Sequence, residues 1–274
     1  LRMEKYNFLV TGHKGFIGSH IFDALSGTKI GIDLKEGEDI LDCLPENIEV
    51  ETVFHLAALP RVEYSVENPF YTLKHNVLAT SKLLEWSKNH GVKRVIFSSS
   101  AATYGDGAGP NSPYGLHKLM SEMECKIYSQ LYGLDTVCLR YFNVYSENQP
   151  FGGSYSTVIS AWLEMIRRGL PLRIDGDGEQ TRDYIHVDDI VGINLFCAEH
   201  KEVFNGAVYD VGSGETVSLN HIKRFVEEVS DVEWIHAPPR PGDVRHTIAN
   251  TKPLTQLGWD AKIDLIEGLT RCFR

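Results

Sequence analysis

Residues 6–18 read YNFLVTGHKGFIG. An apolar run from Tyr6 to Val10 ends at Thr11 and enters a turn with glycines at 12, 15 and 18. Apolar Ile17, Ile21, Ala24 and Leu25 then recur at helical spacing. A strand that passes into a helix through such a turn suits phosphate. Glycine lets the backbone approach a pyrophosphate, and the helix N-terminus faces the negative charge. The spacing, Gly-x-x-Gly-x-x-Gly, is one residue looser at the front than the common dinucleotide fingerprint.

The pattern continues downstream. Lys29–Asp33 is a second strand ending in an acid, which can accept ribose hydroxyls and repel a 2′-phosphate, favouring NAD over NADP. The plainer reading of Asp33 is a turn residue. Asp39-Ile40 follow too soon for the usual helix and strand to fit between, so this segment reads as trimmed. Thr52–Leu56 is the next strand, leading into small Ala57 and Ala58, which admit a cofactor or simply pack. A helix is expected over about 69–89, containing Asn76 and stopped by Gly91. Strands at Arg94–Phe97 and Val137–Tyr145 follow, with a helix from Pro113 to Tyr132 between them. This alternation predicts a doubly wound parallel sheet. Beyond it come a helix near Val158–Arg168, a short strand at Pro171–Ile174 and a rigid Pro-rich loop at 238–243. The expected organisation is a cofactor domain over 1–149 and a smaller C-terminal α/β substrate domain over 150–274, with 183–203 packing back onto the first.

Composition narrows the classes. The chain has 274 residues, 42% hydrophobic and 23% charged, as in an ordinary globular protein. A net charge of −10 argues against a nucleic-acid surface and requires that any anionic substrate be gripped by locally placed arginines. Five scattered cysteines form neither a CxxC nor a zinc pattern, so no metal is expected and they read as reduced thiols of a cytoplasmic protein. No apolar run reaches the ~18 residues of a membrane span.

The chemistry gathers in residues 97–118, FSSSAATYGDGAGPNSPYGLHK. Ser112 reads as an N-cap with Pro113 at the first helical position. Tyr114 and Lys118 then share a helix face. An ammonium beside a phenol favours the phenolate, and a strand-end serine facing that phenol makes a general acid/base arrangement for a substrate hydroxyl.

The ordered set TGHKGFIG, HLAA, SSS, YGLHK, LRYFNVY, GDGEQTRDYIHVDD and RPGD resembles the extended short-chain dehydrogenase/reductases, and among them the NAD-dependent nucleotide-sugar epimerases. The resemblance implies a Rossmann-type fold. It implies that Gly12, Gly15, Phe16, Ile17 and Gly18 hold the pyrophosphate, Asp33 the adenosine ribose, and Asp39 and Ile40 the adenine. Leu56, Ala57, Ala58, Asn76, Ser98 and Tyr141 would complete the NAD site, with Lys118 on the nicotinamide ribose. Ser100, Tyr114 and Lys118 would be catalytic. Ser100, Asn143, Leu172, Ile174, Arg182, Arg240 and Asp243 would bind the nucleotide sugar, with the two arginines on its diphosphate. For Arg182 an ion pair with Asp183 or Asp188 is the bland alternative. Thr247 hints that N-acetylhexosamines are accepted.

Two segments are shorter than usual in such proteins, between Asp33 and Asp39 and between Ser100 and Tyr114. Ala101-Ala102 stand where related dehydratases and decarboxylases carry acids, which favours reversible hydride transfer over loss of water. The expected activity is C4 epimerisation of UDP-glucose, UDP-galactose or their N-acetyl forms through a 4-keto intermediate. A nucleotide-sugar 4-ketoreductase and a non-catalytic NAD-binding regulator are the alternatives. The resemblance also implies a homodimer built on helices 69–89 and 113–132, whose apolar faces carry Val77, Leu83, Leu84, Leu119, Met123 and Ile127; burial within the chain accounts for most of these residues equally well.

Overall fold

The computed structural model describes residues 3–150, 157–239 and 244–274. Arg240 and Asp243 lie outside the described residues. The chain divides into two compact units, Leu1–Tyr141 with Val191–Tyr209, and Phe142–Ile190 with Asp210–Arg274.

The first unit holds a sheet of β1 (Glu4–Thr11), β2 (Lys29–Ile32), β3 (Ile48–His55), β4 (Arg94–Ser100) and β5 (Asp135–Tyr141), in the order β2-β1-β3-β4-β5. These pairings are parallel. Strand Ala207–Val211 adds beyond β5. A parallel sheet covered on both faces needs apolar residues facing both ways, and Leu9, Val10, Val53, Phe54, Val95 and Ile96 are each 0% exposed. Register sets Thr11 level with Ile32 and His55, and His55 level with Phe97. Ser98, Ser99 and Ser100 therefore overshoot that row, paired with Leu139, Arg140 and Tyr141.

The chain runs from β1 through α1 (Phe16–Ala24) to β2 on one side, and takes up β3 on the other. This reversal opens a crevice at the carboxyl ends of β1 and β3, where open α/β sheets bind ligands. The trimmed segment has a physical outcome. Only a 3₁₀ turn (Leu34–Glu36) and one helical turn (Ile40–Cys43) separate β2 from β3, so β2 forms the edge of the sheet.

Helix Pro113–Tyr132 has the expected ends: the Ser112 hydroxyl accepts the Gly115 N–H, and Gly133 closes the helix at φ +70°. The 69–89 helix is interrupted at Lys74–Leu78 by a π turn. Ala24 is exposed, whereas Ile17, Ile21 and Leu25 are buried. The returning segment is Val191–Tyr209, where 183–203 was expected. Buried Arg94 fixes it. The guanidinium pairs with Asp135 at 2.6 Å and donates to the carbonyls of Cys197, His200 and Glu202 at 2.6, 2.7 and 2.8 Å.

In the second unit, Asn143–Tyr145 pairs in parallel with Tyr184–His186, and Leu172–Asp175 with Trp234–Ala237. The strand expected at 137–145 is thus two strands serving different sheets, which moves the boundary to Tyr141/Phe142 from the expected 149/150. Trp162, Leu172, Ile174, Ile222 and Val226 form this unit's core.

Candidate active site

The Gly-rich turn is built around close backbone contacts. Gly12 has φ +76°, and a Cβ there would lie 2.7 Å from the Ala57 nitrogen. A Cβ on Gly18 would lie 2.0 Å from the Gly12 carbonyl oxygen. The turn therefore packs against the end of β3 and the start of its own helix with no room for side chains. Gly15 gives α1 no side-chain cap, so the amides of Phe16, Ile17 and Gly18 are available to an anion.

Asp33 is 6% exposed, and its two oxygens accept the Lys14 and Lys35 N–H groups, each at 2.8 Å. Each oxygen keeps a second lone pair for a ribose hydroxyl. The turn role and the binding role are thus compatible. Asp39 caps the Ile40–Cys43 turn through the Leu41 N–H, and the Ile40 side chain belongs to the core. Ile40 would therefore reach a ligand only through its backbone.

Behind Ala57 runs a buried relay that sequence reading missed. The Thr80 hydroxyl donates to the Asn76 carbonyl at 2.7 Å, so it accepts from His55 Nε2 at 2.8 Å. His55 Nδ1 is then the acceptor for the Thr11 hydroxyl at 2.7 Å, whose oxygen takes the Ala57 N–H at 3.3 Å. Burial, and then Lys118, push the His55 imidazole down to about 3, so it stays neutral. The Asn76 amide clasps the Leu59 backbone from both sides, accepting at 2.7 Å and donating at 3.1 Å. Asn76 and the relay thus shape the Leu56-Ala57-Ala58 exit.

At the end of β4, the Lys118 ammonium is 4% exposed and donates to the Ser98 carbonyl at 2.6 Å. It lies 4.8 Å from the Phe97 ring centroid and 5.9 Å from that of Tyr114. Burial lowers the Lys118 pKa to about 8, while Glu122 pulls it back up. The Ser98 hydroxyl donates to the Tyr141 phenol oxygen at 3.1 Å, which also accepts Asn194 Nδ2 at 2.7 Å. Ser100 accepts the Ala102 N–H at 3.2 Å and starts the 3₁₀ turn Ala101–Thr103. Tyr114 is 3% exposed, and its N–H donates to Ser65 Oγ at 3.0 Å. Ser65, on helix Val62–Glu67, is a second residue that sequence reading missed, because its contact spans 49 residues. Ser98, Ser100, Tyr114, Lys118 and Tyr141 all belong to the first unit.

In the second unit, Asn143 Nδ2 donates to the Asp183 carbonyl at 2.7 Å. Asp183 is fully buried, and its carboxylate accepts Ser213 N–H and O–H, Gly214 N–H and Ala249 N–H. Asp188 pairs with Arg271 at 2.9 Å. Arg182 Nη1 donates to the Thr181 carbonyl at 2.9 Å. The side chains of Leu172 and Ile174 are 0% exposed in the core of this unit, so a ligand could meet this strand only through its backbone.

Residues 8–212 match the model of the NAD dependent epimerase/dehydratase family. A UDP-N-acetylglucosamine 4-epimerase from Methanobrevibacter ruminantium, solved with UDP-N-acetylmuramic acid, is 33% identical at TM-score 0.86, over 99% of this chain and 97% of that one. A UDP-glucose 4-epimerase from Thermotoga maritima, solved with UDP-glucose, is 34% identical at TM-score 0.86, over 97% of each chain. A UDP-glucuronic acid 4-epimerase from Bacillus cereus, solved with UDP-glucuronic acid and NAD, is 30% identical at TM-score 0.86, over 97% of this chain and 98% of that one.

Proposed function

The chain belongs to the NAD dependent epimerase/dehydratase family, and on that premise we propose that it interconverts UDP-sugars at C4 through a 4-keto intermediate. The observation that carries the reading is buried Lys118, which donates to the Ser98 carbonyl in the serine run ending β4 and lies 5.9 Å from the ring centroid of buried Tyr114. The residues fit NAD. The Gly12–Gly18 cradle excludes Cβ atoms, the first-turn amides of α1 suit a pyrophosphate, and Asp33 retains lone pairs for ribose hydroxyls. Asp39, Ile40, Leu56, Ala57, Ala58, Asn76, Ser98 and Tyr141 complete that site in this reading. NAD, when bound, supplies a two-way hydride acceptor.

The chain's own groups handle the proton. Tyr114, as phenolate, takes the proton of the sugar C4 hydroxyl, and the Lys118 ammonium stabilises the phenolate through space. Ser100, already accepting the Ala102 N–H, donates to the same sugar oxygen and fixes its position. Tyr114 returns the proton when the keto sugar is reduced on its opposite face. Asn143, Arg182 and Arg240 hold the diphosphate during that turn, since a guanidinium fork matches phosphate oxygens. Asp243 takes the nucleotide ribose. The similar enzymes act on acetylated, plain and carboxylated sugars, so the fold alone does not choose among them.

Purified protein is expected to epimerise UDP-glucose, UDP-GlcNAc or UDP-glucuronate without added cofactor, and Tyr114→Phe to lose most of that turnover. Undiminished activity in the variant sinks the assignment. Dependence on added NADPH would identify a one-way ketoreductase instead.

A homodimer and a cytoplasmic location belong to the same reading. Val77, Leu83 and Leu84 are buried in the chain's own core, so they do not support a dimer. Exposed Phe70, Leu116, Met123, Ile127 and Leu131 do, as apolar side chains that helices of the first unit present to solvent among the described residues. Light scattering should give twice the chain mass, falling to one chain mass in Met123→Glu. The five cysteines are free thiols, as suits a reducing compartment. Among the described residues no helix is long and apolar enough to cross a membrane.

A further inference from the structure

We propose that Glu122 and Arg140 form a buried charge pair that sets the pH range over which Lys118 stays charged and fixes the turn carrying Ser100. Both are positioning residues, acting through Lys118, Ser99 and Tyr104. The proposal rests on the reading of Tyr114 and Lys118 given above.

Tyr114, Lys118 and Glu122 follow one another at steps of four, so they share one helix face. Glu122 is 3% exposed. Its carboxylate accepts the Ser99 hydroxyl, and Arg140 Nε and Nη2 at 2.8 and 2.7 Å. One carboxylate therefore ties the helix to β4 and β5 at the residue before Ser100. The Arg140 guanidinium in turn lies 4.7 Å from the centroid of Tyr104, which ends the 3₁₀ turn begun at Ser100. Fixing that turn fixes the serine.

The charge argument uses the groups around Lys118. Its own helix offers Tyr114, Glu122 and Cys125; β5 offers Cys138, and Arg140 acts through its pair with Glu122; β3 offers His55; β4 offers the Ser98 carbonyl. His55 is neutral, and burial beside Cys125 holds the Cys138 thiol protonated. Glu122 is left as the anion that opposes the loss of the Lys118 proton on burial. A neutral Lys118 would no longer support the Tyr114 phenolate.

Opposite substitutions should act in opposite directions. Glu122→Gln removes the anion and leaves the Arg140 charge uncompensated, so the alkaline limb of the kcat–pH profile should move down by about one pH unit. Arg140→Met leaves the Glu122 anion unneutralised, so the same limb should move up. A merely structural role would lower kcat in both variants and move the limb in neither direction. A buried charge without its partner can prevent folding. If one single variant does not fold, the E122Q/R140M double variant becomes the reference for the other, with the same expected sign. Limbs that coincide, or that move together, overturn the proposal. Persistence of turnover in Tyr114→Phe would instead overturn the reading of the site, so the two failures are told apart.

Discussion

Gly115 offers a test that separates stability from catalysis. It is the third residue of helix Pro113–Tyr132, next to Tyr114. A Cβ there would lie 2.3 Å from the Ala102 carbonyl oxygen, and that oxygen belongs to the turn starting at Ser100. Ordinary contact begins at 3.4 Å, so Gly115→Ala must part the helix start from the turn by about 1 Å. Overpacking of this kind costs about 1–3 kcal/mol. Alanine recovers up to about 1 kcal/mol of helix propensity. The net loss is thus about 0–3 kcal/mol, up to about 10 °C of Tm for a protein of this size. The same 1 Å separates Ser100 from Tyr114, and misplacement on that scale can cost about 100-fold in rate. We expect Gly115→Ala to fold, to melt within about 10 °C of the parent, and to lose about two orders of magnitude in kcat for UDP-sugar epimerisation. Parental kcat in a folded variant would show that the spacing of turn and helix does not set the chemistry.

Two further outcomes concern the scaffold. His55 titrates near 3 in the folded chain against about 6.5 when unfolded, so between those values the unfolded state binds more protons. The stability carried by the neutral ring is complete above about 6.5 and is lost as pH falls towards 3. Tm should therefore fall through that window more steeply in the parent than in His55→Gln, and equal slopes would refute the buried neutral assignment. Arg94→Met strands buried Asp135 and leaves three carbonyls of the returning segment without their donor. A loss of about 3–5 kcal/mol in urea unfolding is expected; a loss under about 1 kcal/mol would mean that Arg94 does not hold that segment.

Local chemistry made much of this architecture legible. The Gly-rich turn, the acid at the end of β2, and the Ser112–Pro113 start and Gly133 stop of one helix are written in consecutive residues, and the structure places them as read. The missed features are contacts between residues far apart in the sequence. Ser65 reaches the Tyr114 amide from another helix, and Glu122 gains meaning only beside Ser99 and Arg140. Apolar spacing left Val77, Leu83 and Leu84 open between a dimer face and the chain's own core, since it marks a buried face without saying which chain covers it, and the structure buries them within the chain. At Leu172 and Ile174, an aliphatic residue in a short strand reads alike whether it lines a pocket or fills a core.

The edge position of β2 joins two properties usually treated separately. Asp33 follows a four-residue strand bonded to one neighbour, so the order of that corner rests on β1 and on the two amides that Asp33 itself accepts. Such an edge opens locally at a cost well below that of global unfolding. A dinucleotide whose ribose engaged Asp33 would bind only the closed corner and would stabilise it by mass action. Retention of the cofactor and amide-exchange protection of residues 29–36 then become two measures of one equilibrium.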